Sequence, residues 1–177
     1  MNKNARIAIW LLFILGGIAL SLWLDSRFFA TDFFPEKVAM LLRIIGGTLF
    51  ILAFYATGNV GRTLARHGRQ AGDLPRMQTD RLVTTGIYRL MRHPMNQVLL
   101  SFPLSIALML ASPSFLLIIA PVEILAMLLM ICTIEEAETR KKFGKDYDDY
   151  CARTPRFCFR FECLKALLQN PDGKRKE

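Results

Sequence analysis

Apolar positions in this chain do not recur in stripes; they fill whole blocks. Residues 5–24, 38–57, 97–111 and 114–134 are nearly free of charge, interrupted only by Arg6, Arg43 and Glu123. An amphipathic helix of a soluble protein shows polar residues at 3.6-residue spacing, and these blocks do not. About 20 apolar residues carry a helix across the hydrocarbon core. The pattern therefore predicts an all-α integral membrane protein with about four transmembrane helices. The last two segments, joined by the tight turn Ser112-Pro113-Ser114, form a C-terminal helical hairpin. The third block is short, about 23 Å at 1.5 Å per residue, so Pro94–Asn96 serve as its first turn. Proline loses nothing at a first helical position, and it pushes His93 out of helical geometry.

Mid-segment glycine pairs, Gly16-Gly17 and Gly46-Gly47, are expected to meet at similar depth in an antiparallel hairpin, where small residues allow close backbone contact. The first block is expected to be retained rather than cleaved, because the bulky SLWLDSRFF after it offers no small-residue cleavage pattern. Residues 58–82 read as a long linker. After the fourth block a helix is expected to run to Phe143, break at Gly144 and resume over Asp146–Ala152. The tail RFCFRFECLKALLQ mixes Phe with basic residues and suits the membrane surface or the underside of the bundle.

The 177 residues suit one domain, and the formal net charge is +8. That charge is not evenly spread. Between residues 58 and 95 stand Arg62, Arg66, Arg69, Arg76, Arg81, Arg89 and Arg92 against only Asp73 and Asp80. The loop over residues 25–37 has two basic and three acidic residues. Positive-inside bias then puts the linker and both termini in the cytoplasm of a multi-pass protein of the cell (inner) membrane. Membrane lipids are expected partners, nucleic acid is not, and the oligomeric state is left open. Cys132, Cys151, Cys158 and Cys163 form no C-x-x-C pair; on this topology all face a reducing compartment, so neither a disulfide nor a zinc site is expected.

The hairpin brings Arg92-His93-Pro94, at the start of segment three, to the same rim as Glu135-Glu136, at the end of segment four. Arginines there also satisfy lipid phosphates, and glutamates pair with them. There is no G-x-G, no H-E-x-x-H and no G-x-S-x-G, and two histidines are too few for a histidine-based metal site. Glu123 is costly at membrane depth and so is a functional candidate; it either lines an acceptor tunnel or sits beside carbonyls freed by Pro121.

The array GIYRLMRHP, an apolar hairpin, Glu135-Glu136, FGKDYDDY and RTP, over about residues 82–157, resembles the isoprenylcysteine carboxyl methyltransferase family and its bacterial relatives. Related phospholipid methyltransferases share the general plan. The resemblance implies a membrane enzyme that binds S-adenosylmethionine in a cytoplasmic pocket and methylates a lipophilic acceptor (a carboxylate, thiol or amine) arriving from the membrane. It divides the chain into an N-terminal transmembrane hairpin (1–57), a basic linker (58–81), a catalytic half (82–157) and a basic tail (158–177).

The motifs map onto Gly86, Tyr88, Arg92, His93 and Pro94, then Glu135 and Glu136, then Phe143, Gly144, Tyr147 and Tyr150, then Arg153 and Pro155. The implied cofactor residues are Tyr88, Arg92, His93, Pro94, Glu135, Glu136, Tyr147 and Tyr150. Arg92 or His93 suits the cofactor carboxylate, Glu135 or Glu136 its ammonium or ribose, and the tyrosines its adenine and cationic centre. Arg153 and Glu135 are implied as catalytic, and Arg153, Asn96 and Glu123 as acceptor-facing. No metal is expected, since a sulfonium already carries the reactive methyl. The family pattern continues R-H-P-x-Y-x-G, whereas here Asn96 and Val98 replace the tyrosine and glycine, so acceptor specificity does not carry over. Two other readings compete: a non-catalytic membrane scaffold derived from the family, and a nicotinamide-dependent membrane reductase.

Overall fold

A computed structural model describes residues 3–29, 33–69 and 79–169, and every regular element among them is helical. In chain order these are α1 (Lys3–Phe28), α2 (Glu36–His67), a 3-10 turn (Gly86–Arg89), α3 (Pro94–Leu99), α4 (Ser101–Leu110), one long helix from Phe115 to Phe143, α7 (Lys145–Arg153) and α8 (Phe161–Leu168). The long helix contains α5 (Ala120–Met130) and α6 (Glu136–Phe143), preceded by π-helical turns at Phe115–Ile119 and Ile131–Glu135. Ala8–Phe28, Glu36–His67 and Phe115–Phe143 are long and apolar enough to cross a membrane, while Pro94–Leu110 is apolar but shorter. Among the described residues the protein is therefore all-helical, with three such helices and a lesser fourth.

Prolines explain the irregularities. Pro94 opens α3 as its spacing predicts. Pro103 has no N–H to give Leu99, and the helix is interrupted at Leu100 between α3 and α4. Pro121 follows a widened turn, closed by Ala120 N–H to the Phe115 carbonyl, which relieves the crowding a proline ring imposes one turn back. Two expected boundaries move. Residues 58–67, assigned to the linker, continue α2 as helix, and α1 reaches Phe28. The linker between residues 70 and 78 lies outside the described residues.

The chain divides into two compact units: residues 1–51 with 100–129, and residues 52–99 with 130–177. In the first unit Ala107, Phe115, Ile119 and Ala120 form a buried cluster covered by Ile18 and Leu24, and Phe50 meets Phe102 edge-on at 5.2 Å. The glycine pairs do not face each other. A Cβ on Gly46 would meet Met109 N at 2.6 Å and Ser105 O at 2.7 Å, whereas Gly17 lies under the Glu123 carboxyl and Ile119. Gly16 and Gly47 have open space beside them. One glycine of each pair thus admits a neighbour from residues 100–129, which the 3.6-residue turn makes possible for only one of two consecutive positions.

Asp25, at the end of α1, clamps the Ser112-Pro113-Ser114 turn. Its carboxylate accepts from Ser112 Oγ at 2.5 Å, from Ser114 N at 3.0 Å and from Ser114 Oγ. It thereby satisfies an orphan amide at the start of the long helix. Asp25→Ala is expected to cost about 1–2 kcal/mol, as loss of a capping side chain does; the thermal unfolding midpoint in detergent checks this.

Candidate functional site

The second unit contains the motif residues. Gly86 takes φ +61°, a conformation cheap only for glycine, and lets the chain turn into the 3-10 helix that buries Ile87 and Tyr88. Tyr150 of α7 donates from its hydroxyl to the Tyr88 carbonyl at 2.5 Å. Gly144, at φ +54°, makes the break between α6 and α7 that the sequence predicts, and α7 then buries Tyr147 and Tyr150.

Arg92 and His93 lie outside regular structure, and the segment after α7 runs beside them. Arg92 N donates to the Pro155 carbonyl at 2.9 Å, and His93 N to the Arg156 carbonyl at 3.1 Å. Gln97 of α3 continues the pairing with its side chain. Its Nε2 donates to the Cys158 carbonyl at 2.7 Å and its Oε1 accepts from Cys158 N at 2.8 Å. The cysteine expectation is overturned here: Cys158 and Cys163 form a disulfide, with Cα atoms 5.9 Å apart. The turn from Arg160 into α8, with Cys163 N bonded to the Arg160 carbonyl, folds the five-residue spacing back on itself. The absence of a C-x-x-C pattern did not bear on that. No group of three or more metal-ligating side chains occurs among the described residues.

Glu136 is the electrostatic centre. It is 3% exposed; Oε1 lies 3.0 Å from Arg92 Nη1 and 3.3 Å from His93 Nε2, and Arg156 grips both oxygens, Nε to Oε1 at 2.9 Å and Nη2 to Oε2 at 2.8 Å. Such bidentate, charge-assisted pairs fix orientation as well as charge. Arg92 Nη1 also donates to Cys151 Sγ at 2.6 Å. Burial pushes the His93 imidazole below its ordinary value, outweighing the Glu136 hydrogen bond and the Glu135 and Glu136 charges that pull it up. Burial likewise raises Tyr88 and Tyr150, and raises Tyr147 to about 12, with Glu136 adding its charge.

Beside this cluster is a cavity of about 370 Å³ whose wall includes Tyr88, Arg92, His93, Pro94, Asn96, Glu135, Tyr147 and Tyr150. Asn96 Nδ2 donates to Glu135 Oε2, and Thr139 Oγ1 to the Glu135 carbonyl at 2.7 Å. The second π-helical turn ends at Glu135. Three predicted site residues are not on that wall. Glu136 stands behind it as the clamp on Arg92 and His93. Arg153 is exposed, donates to the Asp149 carbonyl at 3.1 Å and borders an adjoining cleft with Asp146 and Asp149, which shares Arg81, Leu82, Phe143 and Tyr150 with the cavity. Glu123 belongs to the first unit; both its oxygens are buried without a hydrogen-bond partner among the described residues. Sequence reasoning missed Arg156 and Gln97. The only signal for Arg156 was its place directly after RTP, and Gln97 had none.

Because native His93 resists protonation, the unfolded chain binds the extra proton first as pH falls below about 6.5. Stability from this group is therefore present above that pH and declines below it. Wild type is expected to lose more stability than His93→Gln between pH 7 and pH 5.5, read as the difference between their unfolding midpoints.

A family model described as phospholipid methyltransferase matches residues 41–146. No curated protein and no solved structure matches the chain. The matched stretch runs from α2 through the Arg92-His93-Pro94 motif to the Glu135-Glu136 pair and ends just before Tyr147. Covering more than half of the sequence and most of the cavity wall, it shows that this membrane protein belongs to the phospholipid methyltransferase family.

Proposed function

We propose that the protein is an S-adenosylmethionine-dependent methyltransferase acting on the amine headgroup of a membrane lipid. The observation that carries the reading is a cavity of about 370 Å³, large enough for a small cofactor, on whose wall Arg92 and His93 meet Glu135, Tyr88, Tyr147 and Tyr150. Glu136 and Cys151 hold Arg92 Nη1, so the guanidinium is a preoriented cation for the cofactor carboxylate. His93, neutral at pH 7, and the Tyr88, Tyr147 and Tyr150 side chains supply hydrogen-bonding and aromatic surface for the remainder. When bound, the cofactor supplies an electrophilic methyl on a sulfonium.

The chain's own residues then align the acceptor and handle one proton. Glu135 would take it from the acceptor ammonium, leaving the amine with a free lone pair facing the methyl group that the cofactor would supply. Asn96 holds the carboxylate in place. An amine is favoured over the carboxylate and thiol acceptors because the cavity wall offers the carboxyl groups of Glu135 and Glu138 to an ammonium. The arginine-rich linker supports a cytoplasmic site in the inner membrane, with both termini on that side, although a reducing compartment disfavours the Cys158–Cys163 bridge of the tail.

The test uses the full chain in lipid nanodiscs. S-adenosylhomocysteine should bind by calorimetry, and methyl-labelled cofactor should label phosphatidylethanolamine. No binding by folded protein overturns the cofactor assignment; binding with label only in acidic or thiol lipids overturns the amine assignment.

A further inference from the structure

A second cavity in the same unit, of about 290 Å³, runs along α2 past Phe54, Gly58, Gly61 and Ala65. Its remaining wall includes Leu64 and Met95, and both of these also line the polar cavity. We propose that this groove holds one hydrocarbon chain of the lipid acceptor, with the headgroup turned at Leu64 and Met95 into the polar cavity. The inference rests on the methyltransferase reading and adds where the acceptor's tail goes.

Three observations lead there. The groove is almost wholly apolar, whereas the cavity it adjoins carries His93, Asn96 and Glu135, so the pair matches an amphiphile end for end. Residues 54, 58, 61 and 65 recur at helical spacing on one face of α2, and the glycines leave that face hollow. Phe54 is an exposed aromatic within the apolar stretch of α2, while Arg69 borders the groove beyond Ala65. Hydrocarbon therefore meets the Phe54 end, and a lipid phosphate suits the Arg69 end.

Gly61 is the controlling position. A Cβ there would stand 3.6 Å from Met95 Cε, an ordinary contact, so Gly61→Ala fits, whereas Gly61→Leu fills the junction between the two cavities. Both replacements raise helix propensity, and unfolding midpoints measured alongside show that each variant is folded.

Phosphatidylethanolamine bearing a diazirine near the ester end of one acyl chain, photolysed in nanodiscs with the full chain, tests the groove without relying on turnover. Adducts are expected on Leu64, Ala65 or Met95, reduced about tenfold by Gly61→Leu, since overfilling a packed space readily costs that much affinity, and little changed by Gly61→Ala. S-adenosylhomocysteine should bind all three proteins alike. Adducts spread evenly over lipid-facing residues, or unaffected by Gly61→Leu, overturn the groove whatever the cofactor does. Adducts joining two copies of the chain also overturn it, giving the groove to a neighbouring helix. Loss of cofactor binding in wild type with groove adducts retained would leave the lipid site standing and remove methyl transfer.

Discussion

Glu136→Ala should be the most damaging single change in the second unit, costing about 3 kcal/mol or more of stability and S-adenosylhomocysteine binding with it. The reason is asymmetry. A buried ion pair adds little over an apolar replacement, but removing one member leaves its partners charged in a poor solvent, which costs about 3–5 kcal/mol. Here one carboxylate serves Arg92 and Arg156 and takes the His93 hydrogen bond. Arg156 is half exposed and can return to water; Arg92, at 11% exposure, cannot, so the lower end of that range applies. Glu136→Gln should fall between, keeping one acceptor and losing the charge. Denaturant unfolding in detergent gives the first quantity and calorimetry the second. A loss under about 1 kcal/mol in Glu136→Ala would mean the two arginines find other partners and the cluster is not the organising centre.

The second large effect belongs to the first unit and has an internal control. Gly46→Ala should destabilise by about 1–3 kcal/mol, because its Cβ would overlap backbone atoms of Met109 and Ser105, which cannot rotate away. Gly47→Ala meets nothing within 4 Å and should be neutral or gain up to about 1 kcal/mol from helix propensity. The unfolding midpoint should therefore fall in Gly46→Ala and hold or rise in Gly47→Ala. Equal shifts would show that α4 does not lie against Gly46.

The blocks of apolar sequence, Pro94, Gly144 and the turn at Ser112 were all legible beforehand because each acts locally, through length, a missing N–H or a left-handed backbone. The cavity wall was legible at Tyr88, Arg92, His93, Asn96, Glu135, Tyr147 and Tyr150 because the hairpin and the motif order fixed what could meet. What failed depended on the path the chain takes, near or far in sequence. Gly46 and Gly47 read identically until α4 chooses between them. Arg153 and Arg156 flank Thr154-Pro155, and only the path of the chain after α7 decides which one reaches Glu136. The Cys158–Cys163 bridge needed the turn at Arg160, which no cysteine spacing announces.

The pairing of residues 92–97 with 155–158 amounts to three rungs of a ladder in a protein whose regular elements are helices. The first two rungs are peptide to peptide and the third is the Gln97 carboxamide, which mimics a peptide group by offering one donor and one acceptor in a plane. Glutamate at that position would offer acceptors to both Cys158 groups and could satisfy only one. Because Arg92, His93 and Cys158 share this ladder, their amides should lose protection from hydrogen exchange together, so that the site opens as one cooperative event rather than residue by residue.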